Sequence, residues 1–559
     1  MRWTTGARNA AGALVGMVLA IGCGAPAGAC PDWTERVQPR PNVVVVMADD
    51  MRADDLRFMP HVRRLIAARG LTFENSFSPY PLCCPARASF LTGQYAHNHG
   101  VLDNTSPYGF GGFDDSATLA TSLRAAGYRT AFVGKYLNDY GLVPSRVTGE
   151  PSATFVPAGW SDWHGLLQVP YPVGAGTYHY FHPVLNHNGV VASYQGEYQT
   201  TLLGRIARDV VRDLAGDRPF FMYLSTLAPH DGLPHEPDDV DHVPGDDGTE
   251  MWFPTPARPA WARGTADALV DRSPGIPVSG EPEADVSDKP RSVRMPPLSA
   301  AEIEAETRVT RQRAESLFVL DLEVARLVDT LRDTGELDDT VLMFTSDNGY
   351  FLGEHRKRMG KKLPYEPSIR VPLVLAGAGV PRGTRYDPVK TPDLTATIVE
   401  LAGARAPHPA DGTSLLWTIH NGDRGWNVPV VTEAIADRAT AGGTPAALRR
   451  GFGDARTTIG LRTARYKLIR WASGTVELYD LAVDPNELDN LARDAAYAEV
   501  RDRLTRLWWR YRDCVASECA APLPAQFRAD EQDTARLTRE MRAGIQAHLG
   551  EVRTRGVVP

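Results

Sequence analysis

Long apolar runs are missing from this chain beyond its first few dozen positions. That excludes a stable membrane span, which needs about 20 consecutive apolar residues. Basic tracts are missing as well. The formal net charge is −8 over 559 residues, and a mildly acidic chain with no basic run is not a bulk nucleic-acid binder. Cysteine is scarce: Cys23, Cys30, Cys83, Cys84, Cys514 and Cys519 are the whole complement. Adjacent Cys83 and Cys84 lack the spacing of a zinc site, whereas Cys514 and Cys519 enclose a short loop and could pair. There is no internal repeat and no low-complexity tract.

What is present begins with a leader. Arg2 and Arg8 precede an apolar stretch at 10–21, and small residues follow at 24–29. This is the layout of a secretory signal peptide, so residues 1–29 are expected to be removed and the protein secreted, in surroundings that permit disulfides. A disordered start is the plainer alternative. Lipoprotein anchoring through Cys23 is another, although Ala20 fits that pattern poorly. The whole chain is 43% hydrophobic, ample for a large core.

The hydrophobic pattern alternates between strand and helix. Residues 42–48 read NVVVVMA, apolar on both faces like a buried parallel strand. Helix is expected at 59–69 with Gly70 as its stop, and at 117–126 with Asp115 or Ser116 as cap and Gly127 as stop. Strands follow at 128–133, 220–226, 340–345 and 371–376, with helices at 202–214 and 299–334 between them. The Pro-, Asp- and Gly-rich segment 231–297 reads as a long surface insertion. Together these imply an α/β fold: a large mixed, mostly parallel sheet sandwiched by helices. After about residue 425 the texture changes. Short strands at 457–461, 465–471 and 476–479 predict a smaller C-terminal antiparallel sheet. The expected division is a catalytic part at 40–425 and a C-terminal subdomain at 426–559.

Four of the strands run into polar residues: Asp49-Asp50, Lys135, His230 and Asp347-Asn348. Open α/β sheets bind ligands beyond the carboxyl ends of their strands. Taken singly, each is readable as a helix cap or a solvated loop residue; four together are not. Asp49, Asp50, Asp347 and Asn348 offer only oxygen, which selects Ca²⁺ or Mg²⁺. Ca²⁺ suits ligands gathered from separate loops. In Cys83-Cys84-Pro85-Ala86-Arg87, Pro85 can sit in the first turn of a helix. Cys83 would then stand at a helix N-terminus, which attracts anions, with Arg87 as a fixed cationic fork. A purely structural pair of buried cysteines explains neither Arg87 nor the carboxylates.

These residues resemble the formylglycine-dependent (type I) sulfatases of the alkaline phosphatase superfamily. The resemblance rests on Cys83-x-Pro85-x-Arg87, Asp49-Asp50, Gly134-Lys135, Pro229-His230, Asp347-Asn348-Gly349, Gly360-Lys361 and Arg465-Tyr466-Lys467, and spans residues 40–495. Ala86 stands where serine is commoner. The resemblance implies an alkaline-phosphatase-like fold and hydrolysis of sulfate monoesters on sulfated sugars or aryl substrates. It also implies that a separate formylglycine-generating enzyme converts Cys83 to formylglycine. By the same resemblance Asp49, Asp50, Asp347, Asn348 and the modified Cys83 would hold Ca²⁺. Arg87 would steady the nucleophile, Lys135 and Lys361 would grip sulfate oxygens, and His230 would help the alcohol leave.

One departure matters. Gly134-Lys135-Tyr136-Leu137-Asn138 has leucine where many members carry a histidine that helps expel sulfate. This form resembles the glucosamine-6-sulfatase branch. His355 is a candidate substitute base or leaving-group contact, and equally readable as a surface histidine; Asn138 is a candidate substrate contact. A phosphodiesterase or phosphonate monoester hydrolase on the same scaffold is the alternative activity. A carbohydrate-binding relative without catalysis should have lost Cys83 or the carboxylates, and all are retained.

Overall fold

Four consecutive valines, Val43 to Val46, have no accessible surface, and a strand buried on both faces belongs at the centre of a sheet. That is where the computed structural model places them. It describes residues 40–170, 174–216, 218–240, 242–244, 248, 250–435 and 456–550. The signal-peptide reading of residues 1–29, with Cys23, lies outside the described residues.

In chain order the large sheet takes β1 (Asn42–Ala48), β2 (Leu71–Phe77), β3 (Arg129–Lys135), β4 (Asp162–Leu166), β5 (Val184–His187), β6 (Val190–Ser193) and β7 (Phe220–Ser225). A two-stranded ladder follows, β8 (Val243–Pro244) with β9 (Glu250–Met251). The large sheet resumes with β10 (Thr340–Ser346), β11 (Leu373–Gly377) and β12 (Gly383–Lys390). Its ten strands lie in the order β12-β2-β11-β10-β1-β7-β3-β4-β5-β6. The middle five, β10-β1-β7-β3-β4, are all parallel, and antiparallel β11 and β5 join at either side. The mixed, mostly parallel sheet expected from the sequence is therefore present.

Helices cover both faces. Val44 and Val46 pack on one side with the helices Pro60–Leu65, Gln199–Leu214 and Ala300–Asp333. Val43 and Val45 pack on the other with Cys83–Thr92, Leu119–Ala125 and Thr391–Leu401. The alternation of one strand thus joins two cores. The smaller sheet is antiparallel: β13 (Val430–Ala434), β14 (Thr458–Arg462), β15 (Tyr466–Trp471) and β16 (Val476–Asp480) in sequential order. Cys514 and Cys519 are joined as a disulfide.

Three sequence expectations change. The helix at 59–69 is Pro60–Leu65 followed by a short 3-10 turn, Ala67–Arg69. The cap of Leu119–Ala125 is Thr118, whose amide bonds the Thr121 hydroxyl at 2.9 Å, not Asp115 or Ser116. Segment 231–297 is irregular but packed rather than superficial. Arg258 is fully buried and meets Glu236 at 2.6 Å and Glu315 at 3.3 Å. Buried Lys289 donates to the Glu487 and Leu488 carbonyls at 2.7 and 2.8 Å. These two buried cations find protein partners, so a polar composition here does not mean exposure.

Candidate active site

The four polar strand ends meet. Register pairs Ala48 with Ser346, Met47 with Ser225, and Ser225 with Gly134. Asp49-Asp50, Asp347-Asn348, Lys135 and the turn leading to His230 therefore leave the sheet along one edge. Gly134 makes this possible. Its φ is 114°, and a Cβ there would lie 1.8 Å from the Ser225 carbonyl oxygen, so only glycine lets β3 and β7 approach this closely.

The helix Cys83–Thr92 supplies the other half, and all ten of its residues are buried. Cys83 is its first residue and Arg87 follows one turn later. Positions i and i+4 share a face, so the spacing in the motif delivers thiol and guanidinium to the same place. Cys84 points instead into the core that Val43, Val45 and Phe90 share.

Cys83 Sγ lies 3.3 Å from Asp49 Oδ1, 4.0 Å from Asp50 Oδ1 and 2.9 Å from Lys361 Nζ. Arg87 donates from Nε to Asp347 Oδ2 at 2.9 Å, from Nη2 to Asp49 Oδ2 at 3.0 Å, and from Nη1 to the Lys135 carbonyl at 2.9 Å and to Ser225 Oγ. Lys135 pairs with Asp49, and Lys361 with Asp50. Asp50 takes a left-handed φ of 65°, which aspartate tolerates, and its amide donates to Asp347 Oδ1 at 3.0 Å. Asn348 Nδ2 donates to Asp50 Oδ1 at 2.6 Å, while its own Oδ1 is buried without a partner. His230 Nε2 stands 3.7 Å from Asp50 Oδ2, and its Nδ1 is 2.8 Å from the Asp231 carbonyl oxygen. A carbonyl only accepts, so Nδ1 carries the proton and Nε2 faces the cluster.

The electrostatics follow from burial and pairing. Burial pushes the Asp49 carboxyl up, but Lys135, His230, Arg87 and Lys361 together hold it well below the carboxylate range. Asp347 is raised by burial and by Asp49. Burial, then the Asp49 carboxylate, pushes the Cys83 thiol up to about 12. An unmodified thiol there stays protonated at neutral pH and is a weak nucleophile.

Whether a cation fits can be judged from the donors. Atoms of Asp49, Asp50, Cys83 and His230 lie within 4.8 Å of one another. Three carboxylates and the unpartnered Asn348 Oδ1 make an oxygen-rich set suited to a hard divalent ion. These residues fit Ca²⁺ or Mg²⁺.

Of the residues singled out from the sequence, Asp49, Asp50, Cys83, Arg87, Lys135, His230, Asp347, Asn348 and Lys361 come together. His355 does not join them. Its Nδ1 is 2.8 Å from Glu283 Oε2, its ring packs 4.4 Å from that of Tyr365, and it is buried rather than superficial. No contact links it to Cys83, Asp49 or Asp50 among the described residues. Leu137 is buried in the core, and Asn138 Nδ2 donates to the Tyr178 hydroxyl at 2.6 Å. Three contributors escaped the sequence reading. Ser225 is the polar end of β7, a signal of the kind already used elsewhere. Arg313, in mid-helix, donates to the Asp50 carbonyl at 2.6 Å. Tyr178 holds its ring 4.9 Å from Lys135 Nζ. Nothing in the sequence marks these last two.

Comparison with known proteins gives the family. The family model "Sulfatase" matches residues 41–404, and "N-sulphoglucosamine sulphohydrolase, C-terminal" matches 450–513. The N-acetylglucosamine-6-sulfatase of Capra hircus is 28% identical, covering 86% of this chain and 85% of its own length. The arylsulfatase of Chlamydomonas reinhardtii is 30% identical over 86% of this chain and 76% of its own length. Among solved structures, a complex with the substrate D-glucosamine-2-N,6-O-disulfate superposes with a TM-score of 0.61 at 23% identity, covering 84% of this chain and 96% of that one. The phosphonate monoester hydrolase of Agrobacterium radiobacter does so at 0.58 and 24%, covering 88% and 99%; at such identities the likeness shows the alkaline-phosphatase-like fold alone. With a catalytic family model spanning most of the chain over an assembled strand-end site, the chain belongs to the sulfatase family and is a sulfate-ester hydrolase.

Proposed function

We propose that the protein is an exported sulfatase that removes 6-O-sulfate from glucosamine-containing glycans, with formylglycine at position 83 as nucleophile and Ca²⁺ beside it. The observation that carries the chemistry is the position of Cys83 Sγ, in contact with Asp49 on one side and Lys361 on the other. A hydrated aldehyde on that carbon would give the site an oxygen nucleophile where the thiol is inert. Asp49, Asp50, Asp347 and Asn348 would hold the ion, which, when bound, lowers the proton affinity of an adjoining oxygen.

The chain's own groups do the rest. Arg87 locks Asp49 and Asp347 in place. Three carboxylates already face three fixed cations, so a divalent ion would leave the pocket positive and complementary to a sulfate ester. Lys135 and Lys361 hold sulfuryl oxygens. His230, as the imidazolium with its second proton on Nε2, delivers that proton to the departing alcohol. In such a hydrate one hydroxyl would attack sulfur as the ester's S–O bond breaks, and loss of the proton from the second would re-form the aldehyde C=O as the carbon–oxygen bond to sulfate breaks, without attack by water on sulfur. With His355 held by Glu283, His230 is the histidine placed to accept that proton. The glucosamine preference rests on the names of the similar proteins and on the Gly134 to Asn138 motif.

The test combines mass and rate. Peptide mass spectrometry of active enzyme should show the Cys83 thiol replaced by an aldehyde or its hydrate. Full activity with an intact Cys83 thiol rules the nucleophile out. Comparing 6-sulfated N-acetylglucosamine with phosphate and phosphonate esters then fixes the substrate class.

A further inference from the structure

The loop carrying Tyr178 is stitched to the strand end that delivers His230. The Leu233 amide donates to the Tyr178 carbonyl at 2.8 Å, and the Tyr180 hydroxyl donates to the His230 carbonyl at 2.7 Å. The Tyr178 ring lies 4.9 Å from Lys135 Nζ and 5.3 Å from the His230 ring centroid. It thus neighbours both of the groups assigned to the sulfate and the leaving oxygen. Its hydroxyl oxygen accepts from Asn138 Nδ2 at 2.6 Å.

That last bond decides what the hydroxyl can do. A phenol has one proton. With its oxygen engaged as acceptor, the proton is left to give. The Lys135 ammonium and the Asn138 amide beside it are donors, and the nearby Asp49 carboxylate is already paired with Lys135 and Arg87. Asn138 is buried and its Oδ1 has no partner, while Tyr178 is half-buried, so the pair is polar, reachable and not satisfied within itself. Leu137, where a histidine is commoner, lies in the core on the other side. Aiming Asn138 at Tyr178 gives the Leu-Asn form of the motif a physical use.

We propose that Tyr178, oriented by Asn138, is a substrate-contacting residue that donates its phenolic hydrogen bond to a sulfuryl oxygen of the ester, beside Lys135. This deepens the sulfate-ester reading of the site and rests on it, but not on the identity of the nucleophile. Hydrogen bonds to charged groups are the strong ones, and the loss of one is worth about ten- to a hundredfold in binding.

The test uses the full-length enzyme with 4-nitrophenyl sulfate as substrate and inorganic sulfate as competitive inhibitor. Tyr178→Phe keeps the ring against Lys135 and removes only the hydroxyl; Tyr178→Leu removes both. Thermal melting establishes that each variant is folded, and peptide mass measures conversion at Cys83. Tyr178→Phe is expected to raise the inhibition constant for sulfate about tenfold and to lower kcat/KM by about ten- to a hundredfold, with Tyr178→Leu only a few-fold worse. Asn138→Ala should shift the same constants in the same direction. Wild-type constants in Tyr178→Phe, with loss only in Tyr178→Leu, would mean that the ring merely props Lys135, and would overturn the proposal. Wild-type enzyme that neither turns over the aryl sulfate nor binds sulfate would overturn the underlying reading as well. Activity with an unconverted Cys83 would remove the formylglycine proposal and leave this one standing.

Discussion

Arg87 is 1% exposed, and each nitrogen of its guanidinium has a partner on a different structural element. Burying a cation is costly unless its partners are complete. Here they are, and the converse follows. Arg87→Ala would strand Asp49 and Asp347 without their shared counterion. We expect a loss of about 3–5 kcal/mol in denaturant unfolding, beyond any loss of rate. The two histidines should behave oppositely. His230→Ala should lower kcat at least about a hundredfold with little change in melting temperature. His355→Ala should keep kcat within a few-fold and cost about 1–3 kcal/mol of stability, because it removes a buried partner of Glu283. A rate collapse in the second variant with unchanged stability would return His355 to the active site.

At the level of elements, two junctions carry testable consequences. Gly134 is where β3 meets β7. Gly134→Ala should destabilise by more than about 2 kcal/mol and displace Lys135, seen as a raised KM. In the small sheet, β13 carries buried Glu433. Burial pushes its carboxyl up, yet His97 and Arg456 hold it down, at about 2 against an ordinary 4.5. A carboxyl depressed by folding contributes stability that is fully present above about pH 4.5 and is lost as pH falls toward 2. Glu433→Gln should therefore cost most near pH 6, and the gap to wild type should narrow as pH drops from 4.5 to 3 in chemical melts. The elements also differ in how plainly the sequence announces them. β1 and the helix Ala300–Asp333 have unmistakable patterns, the latter with Ser299 capped against Glu302. β12 contains Pro388 and a register shift, and β6 is exposed along its length. Neither has the apolar alternation by which a strand is recognised, and both stayed hidden. The segment 231–297 misled for a different reason: its buried cations also reach the Glu315 carboxylate and the Glu487 and Leu488 carbonyls, distant in sequence and unpredictable from local composition.

At the scale of the whole molecule, the candidate active site is held by segments from eight regions of chain, yet most of it was legible. Four of those regions are strand ends, and a parallel sheet necessarily brings its strand ends together. Arg313 and Tyr178 were not legible, because their roles depend on packing that no strand-end rule describes. If the acidic cluster takes Ca²⁺, the ion ties β1 to β10 and should stabilise the folded state. At a hundred times its dissociation constant it should add about 2.7 kcal/mol, seen as a melting temperature that rises with Ca²⁺. In Asp347→Ala that dependence should vanish. The wholly buried helix Cys83–Thr92 has one more implication, and it concerns time. Cys83 has no accessible surface, so a second enzyme cannot grasp this segment once the sheet has closed over it. If Cys83 is converted as proposed, conversion must race folding. Protein harvested without it should stay inactive when mixed, folded, with the maturing enzyme, and respond only if offered as an unfolded chain. Whether each molecule ever works is then decided once, in the interval before its core forms.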